Sequence, residues 1–177
     1  MMISYIALLR GINVGGHKKI LMADLKLLFE KLNLKDVRTY IQSGNVIFKS
    51  KEENIQDLEN RIKGQIFNQY GFEVSVLVKT HSEIRTILND CPFSEDKKVN
   101  SYFIILHSIP DENLIESTIQ IKYPNEEFHI INTCVYTYYS AGFGNAKCRT
   151  NFFERKLKVS ATARNYNTLK KLIELSS

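Results

Sequence analysis

Hydrophobic positions along the chain switch repeatedly between strand-like runs and helical spacing. Ile3 to Leu9 is an almost unbroken apolar run of strand length, and after a polar, glycine-bearing stretch Leu21, Leu25, Leu28 and Leu32 recur every three or four residues. Strand, loop and helix therefore follow one another. Val37 to Ile41 and Asn45 to Lys49 are short β-prone runs separated by Gln42-Ser43-Gly44, a hairpin turn in which Gly44 supplies a permissive backbone position. Ser50 and Glu53 are spaced as a capping box for a helix carrying Ile55, Leu58, Ile62 and Ile66, closed by Gly71. Glu73 to Lys79 is the next strand.

The resulting order, β-α-β-β-α-β over residues 3–79, predicts a ferredoxin-like subdomain: a four-stranded antiparallel sheet with two helices on one face. Thr80 and Glu83 have the spacing of a second capping box, opening a helix with Ile84, Ile87 and Leu88 that ends before Pro92. Beyond it the pattern predicts a strand from Ser101 to His107 and a helix from about Pro110 to Ile121. A hairpin of Glu127 to Asn132 with Cys134 to Ser140 follows, then a helical carboxyl end released by Gly142 and Gly144. In that end Asn151 and Glu154 cap one helix, while Tyr166, Leu169 and Ile173 form the apolar stripe of the last. The predicted class is α+β: residues 1–79 form the ferredoxin-like subdomain, and residues 80–177 form a second, smaller α/β subdomain with a helical C-terminus, closely packed on the first. No sequence repeat is evident.

Composition narrows the class without changing it. Apolar residues make up 44% and charged residues 24% of the 177, a balance typical of globular domains. The longest apolar runs fall far short of the roughly 20 residues that span a bilayer, so no membrane association is expected. The first apolar run lacks a basic flank and stops at Arg10, which argues against a secretory signal and for a cytoplasmic location. Cys91, Cys134 and Cys148 contain no CxxC pair, so free thiols are expected.

Charge placement is the first functional hint. Residues 1–23 hold three cations and no acid, and residues 145–171 hold eight cations against Glu154 alone, so the remainder of a chain of net charge +5 is acidic. Segments of that kind are the footprint of an anionic partner. Arg10-Gly11-Ile12-Asn13-Val14-Gly15-Gly16-His17-Lys18-Lys19 links a strand to a helix, where glycines let backbone N–H groups converge on a phosphate. It matches neither G-x-x-x-x-G-K-[ST] nor G-x-G-x-x-G, and a long turn whose glycines permit unusual dihedrals and whose Asn13 satisfies backbone groups explains it equally. Gln42, Ser43 and Asn45 offer small polar groups that orient a ligand or make up an ordinary polar turn. Gly44-Asn45-Val46-Ile47-Phe48 lacks the aromatic that RRM-type base stacking requires at Asn45.

The carboxyl-terminal set Arg149, Asn151, Arg155, Lys156, Thr162, Arg164, Asn165, Asn167 and Thr168 is dense in donors suited to oxyanions, although Thr162, Asn165 and Asn167 also suit the capping of a helix start. Catalytic signatures are absent. The four histidines are scattered, no G-x-S-x-G surrounds a serine, and no paired carboxylates sit in the glycine loop, so no metal is expected and the cofactor is unknown. Cys148, between Lys147 and Arg149, is the single thiol with cationic sequence neighbours.

Four blocks together carry a resemblance: Leu8-Leu9-Arg10-Gly11-Ile12-Asn13-Val14-Gly15-Gly16, Met22-Ala23-Asp24-Leu25, Thr39-Tyr40-Ile41-Gln42-Ser43-Gly44-Asn45-Val46-Ile47-Phe48 and Ala161-Thr162-Ala163-Arg164-Asn165-Tyr166-Asn167-Thr168. In that order they resemble the bacterial family catalogued as domain of unknown function 1697, over nearly the whole chain. Tyr166 stands where that family has tryptophan, and Ala163 where a second threonine is common. The resemblance implies an α+β fold with a ferredoxin-like amino-terminal part, and no activity, cofactor or catalytic residue. The leading functional expectation is a protein that binds a phosphate-bearing ligand, nucleotide or nucleic acid, in a basic cleft. Arg10, Asn13, Gly15, Gly16, Lys18, Lys19, Gln42, Ser43 and Asn45 form one wall and Arg149, Thr162, Arg164, Asn165 and Asn167 the other. The alternatives are a small-molecule enzyme acting on an anionic substrate and a protein-interaction module; oligomeric state is left open.

Overall fold

The first apolar run becomes β1 (Ile3–Arg10), and its alternation sorts the residues of one sheet face from the other. Tyr5, Ala7 and Leu9 join Val46, Phe48, Val76 and Val78 in a core with Leu25, Leu28 and Phe29 of α1 (Met22–Lys31) and Leu58, Ile62 and Ile66 of α2 (Ile55–Tyr70). Truncating one of these leucines to alanine costs about 2–5 kcal/mol. The other strands of this sheet are β2 (Lys35–Tyr40), β3 (Asn45–Ser50) and β4 (Ser75–Thr80), in the order β2-β3-β1-β4 with every neighbouring pair antiparallel. The alternate residues Ile6, Leu8, Ile47 and Leu77 are buried as well. Neither face is open, which removes the surface on which an RRM-type sheet stacks bases.

The computed structural model describes residues 1–177 and divides into two units, Met1–Arg85 with Lys171–Ser177, and Thr86–Lys170. The break falls between Arg85 and Thr86, inside α3 (His81–Asn89), and the end of α7 (Tyr166–Ser176) belongs to the first unit. There Ser4 Oγ donates to Ser176 O at 2.8 Å, fastening β1 to the carboxyl terminus. The sequence expectation placed the boundary after Lys79 instead.

After α4 (Glu95–Lys98), the second unit runs β5 (Ser101–Leu106), α5 (Glu112–Ile119), β6 (Glu126–Ile131), β7 (Cys134–Tyr139), α6 (Thr150–Leu157) and β8 (Ala161–Asn165). Its antiparallel sheet has the order β6-β7-β5-β8. Ile104, Leu106, Val135, Phe152, Phe153 and Leu157 form its helix-facing core. Each unit thus repeats strand, helix, two strands, helix, strand, with the first strand central and the last at an edge. Each also stops that edge in the same way. Glu59 of α2 accepts the Val78 N–H at 2.8 Å, and Glu154 of α6 accepts the Ala161 N–H at 2.9 Å, so an edge N–H that could template another strand is occupied.

Several local expectations change. The helical carboxyl end is interrupted by β8, so Thr162 and Arg164 are strand residues paired with β5 rather than part of a helix start. Alanine, threonine and arginine gave that strand no hydrophobic alternation. Ser50 ends β3 and accepts the Glu52 N–H, while Asn54 caps α2 through the Asp57 N–H at 3.3 Å, so the Ser50–Glu53 box does not form. The helix α6 starts after Arg149 without a side-chain cap, and Asn151 lies inside it. The Thr80–Glu83 box does form, with Thr80 N–H donating to Glu83 at 2.7 Å and Glu83 N–H to Thr80 Oγ1 at 3.1 Å.

Candidate functional site

The segment after β1 is a small hairpin. His17 N–H donates to Val14 O at 3.0 Å and Asn13 N–H to Lys18 O at 3.2 Å, closing a two-residue turn on Gly15 (φ 56°) and Gly16 (φ 78°). Two consecutive positive φ values are the requirement of a type I′ turn, so these glycines first of all make the reversal possible. Asn13 is equally structural. Its amide donates to Ile20 O and to Gln42 O, both at 2.9 Å, and its carbonyl accepts the Ile20 N–H at 2.9 Å, tying the hairpin, the entry to α1 and the 41–44 turn together. In that turn the fully buried Asn45 donates to Tyr40 O at 3.1 Å and to Ser43 Oγ at 2.9 Å. Gln42 remains exposed and Ser43 half-buried. Ile41 is held at φ 50° while half of its surface is in water, an unusual conformation for a β-branched residue.

The hairpin places Lys18 over a cavity of about 650 Å³ within the first unit, lined also by Lys63, Gly64, Phe67, Glu73 and Ser75. Lys18 Nζ donates to the backbone carbonyl of Glu73 at 2.7 Å, which fixes the ammonium without neutralising it. Lys63 is half-buried, four residues before Phe67 on one face of α2. Gly64 lies between them in the interior of that helix. A glycine there costs about 1 kcal/mol relative to alanine, yet a Cβ at this position would meet nothing within 4 Å. Neither backbone conformation nor crowding calls for it; what it provides is open space over the helix. Phe67 is 51% exposed beside that space.

Arg10, Asn13, Gly15, Gly16, Lys18, Lys19, Gln42, Ser43 and Asn45 belong to the first unit, and Arg149, Thr162, Arg164, Asn165 and Asn167 to the second. Of the first group, Lys18 alone lines the cavity, and Lys19 is exposed in the segment leading from the hairpin to α1. In the second unit Arg149 is exposed with its guanidinium 5.8 Å from the Phe143 ring centre, and Phe143 stacks on Tyr102 at 4.4 Å. Thr162 is buried, its hydroxyl without a hydrogen-bond partner. Arg164 donates to Ala163 O at 2.8 Å, and burial pulls its pKa down to about 10, which still leaves it charged at neutral pH. Asn165 caps α7 by accepting the Thr168 N–H at 2.8 Å, and Asn167 is exposed in the first turn.

The remaining chemistry is quiet. Cys148 is buried; burial and the Glu126 carboxylate push its thiol up to about 12, so it is protonated at neutral pH and is no nucleophile despite its cationic sequence neighbours. That carboxylate instead accepts the Lys147 and Cys148 N–H groups, both at 2.7 Å. No three His, Cys, Asp or Glu side chains gather as a metal site, and no helix is long and apolar enough to cross a membrane. Sequence reasoning missed Lys63, Gly64 and Phe67. The available signal was a glycine in mid-helix, three residues before an aromatic that falls outside the Ile55, Leu58, Ile62, Ile66 stripe.

A family model described as "Protein of unknown function (DUF1697)" matches residues 2–136, and the chain belongs to that family. The match holds the hairpin, the 41–44 turn and the whole lining of the cavity, whereas the block at residues 161–168 lies beyond it. No curated protein matches the chain. Among solved structures, the chain is similar in fold to the conserved bacterial protein SP0830 from Streptococcus pneumoniae, at 23% identity and a TM-score of 0.76 over 100% of both chains.

Proposed function

We propose that this family member binds a small phosphate-bearing ligand in the Lys18–Lys63 cavity of its first unit. The observation that carries the reading is the pairing of two ammonium groups with an open, concave volume of about 650 Å³, within the size range of small-molecule sites. Lys18 is held by a carbonyl rather than a carboxylate, so its charge stays available to an anion. The Gly15-Gly16 turn and the Asn13 staple act as positioning elements: they set where Lys18 stands. Exposed Lys19 adds diffuse attraction.

The frame in this reading is the ferredoxin-like arrangement in both units, supported by the shared element order and by the central position of each unit's first strand. A cytoplasmic location accords with three buried, free thiols. Isothermal titration of the purified protein with a panel of phosphate-bearing metabolites is the test. Binding is expected to weaken at least about tenfold in both Lys18→Ala and Lys63→Ala, the loss of one charge-assisted contact each. Undiminished binding in both variants, or no binding by any phosphate compound, refutes the reading.

A further inference from the structure

The cavity has a second half that phosphate chemistry does not use. Phe67 is 51% exposed, and Gly64, a turn before it on α2, leaves a gap above the helix with nothing within 4 Å of a built Cβ. Tyr70 and Phe72, close by in sequence, stack on each other with ring centres 5.8 Å apart, and Ile62 and Ile66 are fully buried, so the core beneath is complete without Phe67. A large ring left half in water, next to a space kept clear by a glycine and flanked by two lysines, is the combination that recognises a planar heterocycle joined to an anion. A base stacks on an aromatic face because every base has a π-face, while the phosphate is met by ammonium groups.

Resting on the phosphate-binding reading, the geometry points to a mononucleotide as the ligand: its base lies against Phe67 over Gly64, and its phosphate faces Lys18 and Lys63. Ser75, half-buried on β4 within the cavity lining, offers a hydroxyl to the sugar or phosphate. Glu73, also in the cavity lining, brings an acidic residue to its edge, which disfavours a second and third phosphate and selects a nucleoside monophosphate over a triphosphate.

Titration calorimetry of the intact protein with adenosine 5′-monophosphate, the triphosphate, ribose 5-phosphate and a single strand of about eight nucleotides separates the outcomes. The monophosphate is expected to bind at least about tenfold more tightly than ribose 5-phosphate, the advantage disappearing in Phe67→Ala and persisting in Phe67→Trp. Gly64→Leu, whose added Cβ meets nothing within 4 Å, is expected to abolish monophosphate binding without lowering the melting temperature, since leucine is the better helix former. If ribose 5-phosphate binds as tightly as the nucleotide and both weaken in Lys18→Ala, the base assignment falls while the phosphate reading stands. If neither binds, both fall. Tighter, steeply salt-dependent binding of the oligonucleotide overturns the mononucleotide assignment in favour of a nucleic-acid strand.

Discussion

The two units build the same sheet from the same order of elements, yet only the first carries a long excursion after its opening strand. Between β1 and α1 the chain spends residues 11–21 on the glycine hairpin; between β5 and α5 it spends residues 107–111 on a short link. The second helix differs as well: α2 runs over Ile55–Tyr70, whereas α6 covers only Thr150–Leu157. Extra hairpin and extra helical turns are what enclose the cavity, since Lys18 comes from the one and Lys63, Gly64 and Phe67 from the other. One frame serves twice, and the cavity lies where the elements of the first unit are longer.

The sharpest contrast lies in the hairpin that each unit inserts between its second and third strands. Gly44 (φ 76°) has no room for a side chain: a Cβ would stand 2.7 Å from Leu9 Cβ and 3.0 Å from Ile12 Cδ1, while Leu9 N–H donates to Gly44 O at 2.8 Å. The second unit turns through Asn132 (φ 51°). Gly44→Ala adds a close clash to an unfavourable dihedral and is expected to cost about 3 kcal/mol or more. Asn132→Ala, with the dihedral alone, is expected to cost about 1 kcal/mol. Urea denaturation of both variants reads the difference, and equal losses would show that the Gly44 turn yields to a side chain.

The paired glutamates come next. Glu59 is buried and answers the Val78 N–H in the middle of β4, while Glu154 is half-buried and answers Ala161 at the start of β8. Glu59→Ala leaves a buried donor unsatisfied and is expected to cost about 2–3 kcal/mol, against about 1 kcal/mol for Glu154→Ala, because the half-buried Glu154 side chain borders solvent that can follow it to the Ala161 N–H once it is removed. Thermal melts rank the two. The reverse ranking would mean that edge protection matters more in the second unit. A smaller effect of opposite sign is expected at Ile41. Relieving its φ of 50° with Ile41→Gly is expected to stabilise the protein by about 0.5 kcal/mol at most, because the strain of a left-handed β-branched residue is largely offset by the looser unfolded chain and the buried half of the side chain.

The first unit was legible because its strands and helices obey their periods. Leu25, Leu28 and Phe29 share one face of α1, and Ile62 and Ile66 one face of α2. β8 was not. Ala161, Thr162, Ala163 and Arg164 hold a strand position by pairing with β5, where tertiary partners outweigh residue preference. The repeat was hidden for a similar reason, since it lies in strand order, and sequences as different as Val76-Leu77-Val78 and Ala161-Thr162-Ala163 fill equivalent edges. Of the site, the polar loop was visible, and so was the alternative in which Asn13 satisfies backbone groups of a long turn; its amide holds the Ile20 and Gln42 carbonyls. The role of Asn45 was not visible: its place in the sequence suits a ligand-orienting or an ordinary turn residue, and it is buried against the Tyr40 carbonyl of its own turn.

Small effects are also expected at the exits of the two equivalent helices. α2 ends at Gly71 (φ 75°), and α6 ends at Lys158 (φ 54°), so the same left-handed step is made once by glycine and once by lysine. A side chain in that conformation costs about 1–2 kcal/mol. Glycine removes this strain, but it loosens the unfolded chain by about 0.4–1 kcal/mol and gives up a cation at a helix carboxyl end, about 0.3 kcal/mol. The terms nearly cancel, leaving Lys158→Gly a net stabilisation of about 0.5 kcal/mol, whereas Gly71→Lys is expected to destabilise by about 1 kcal/mol. Because Lys158 is exposed and Gly71 has nothing within 4 Å of a built Cβ, packing contributes to neither change. Opposite shifts in Tm for the two variants mark the exits as interchangeable. A loss of stability in Lys158→Gly would mean that the lysine's charge at the end of α6 outweighs the dihedral it has to adopt there.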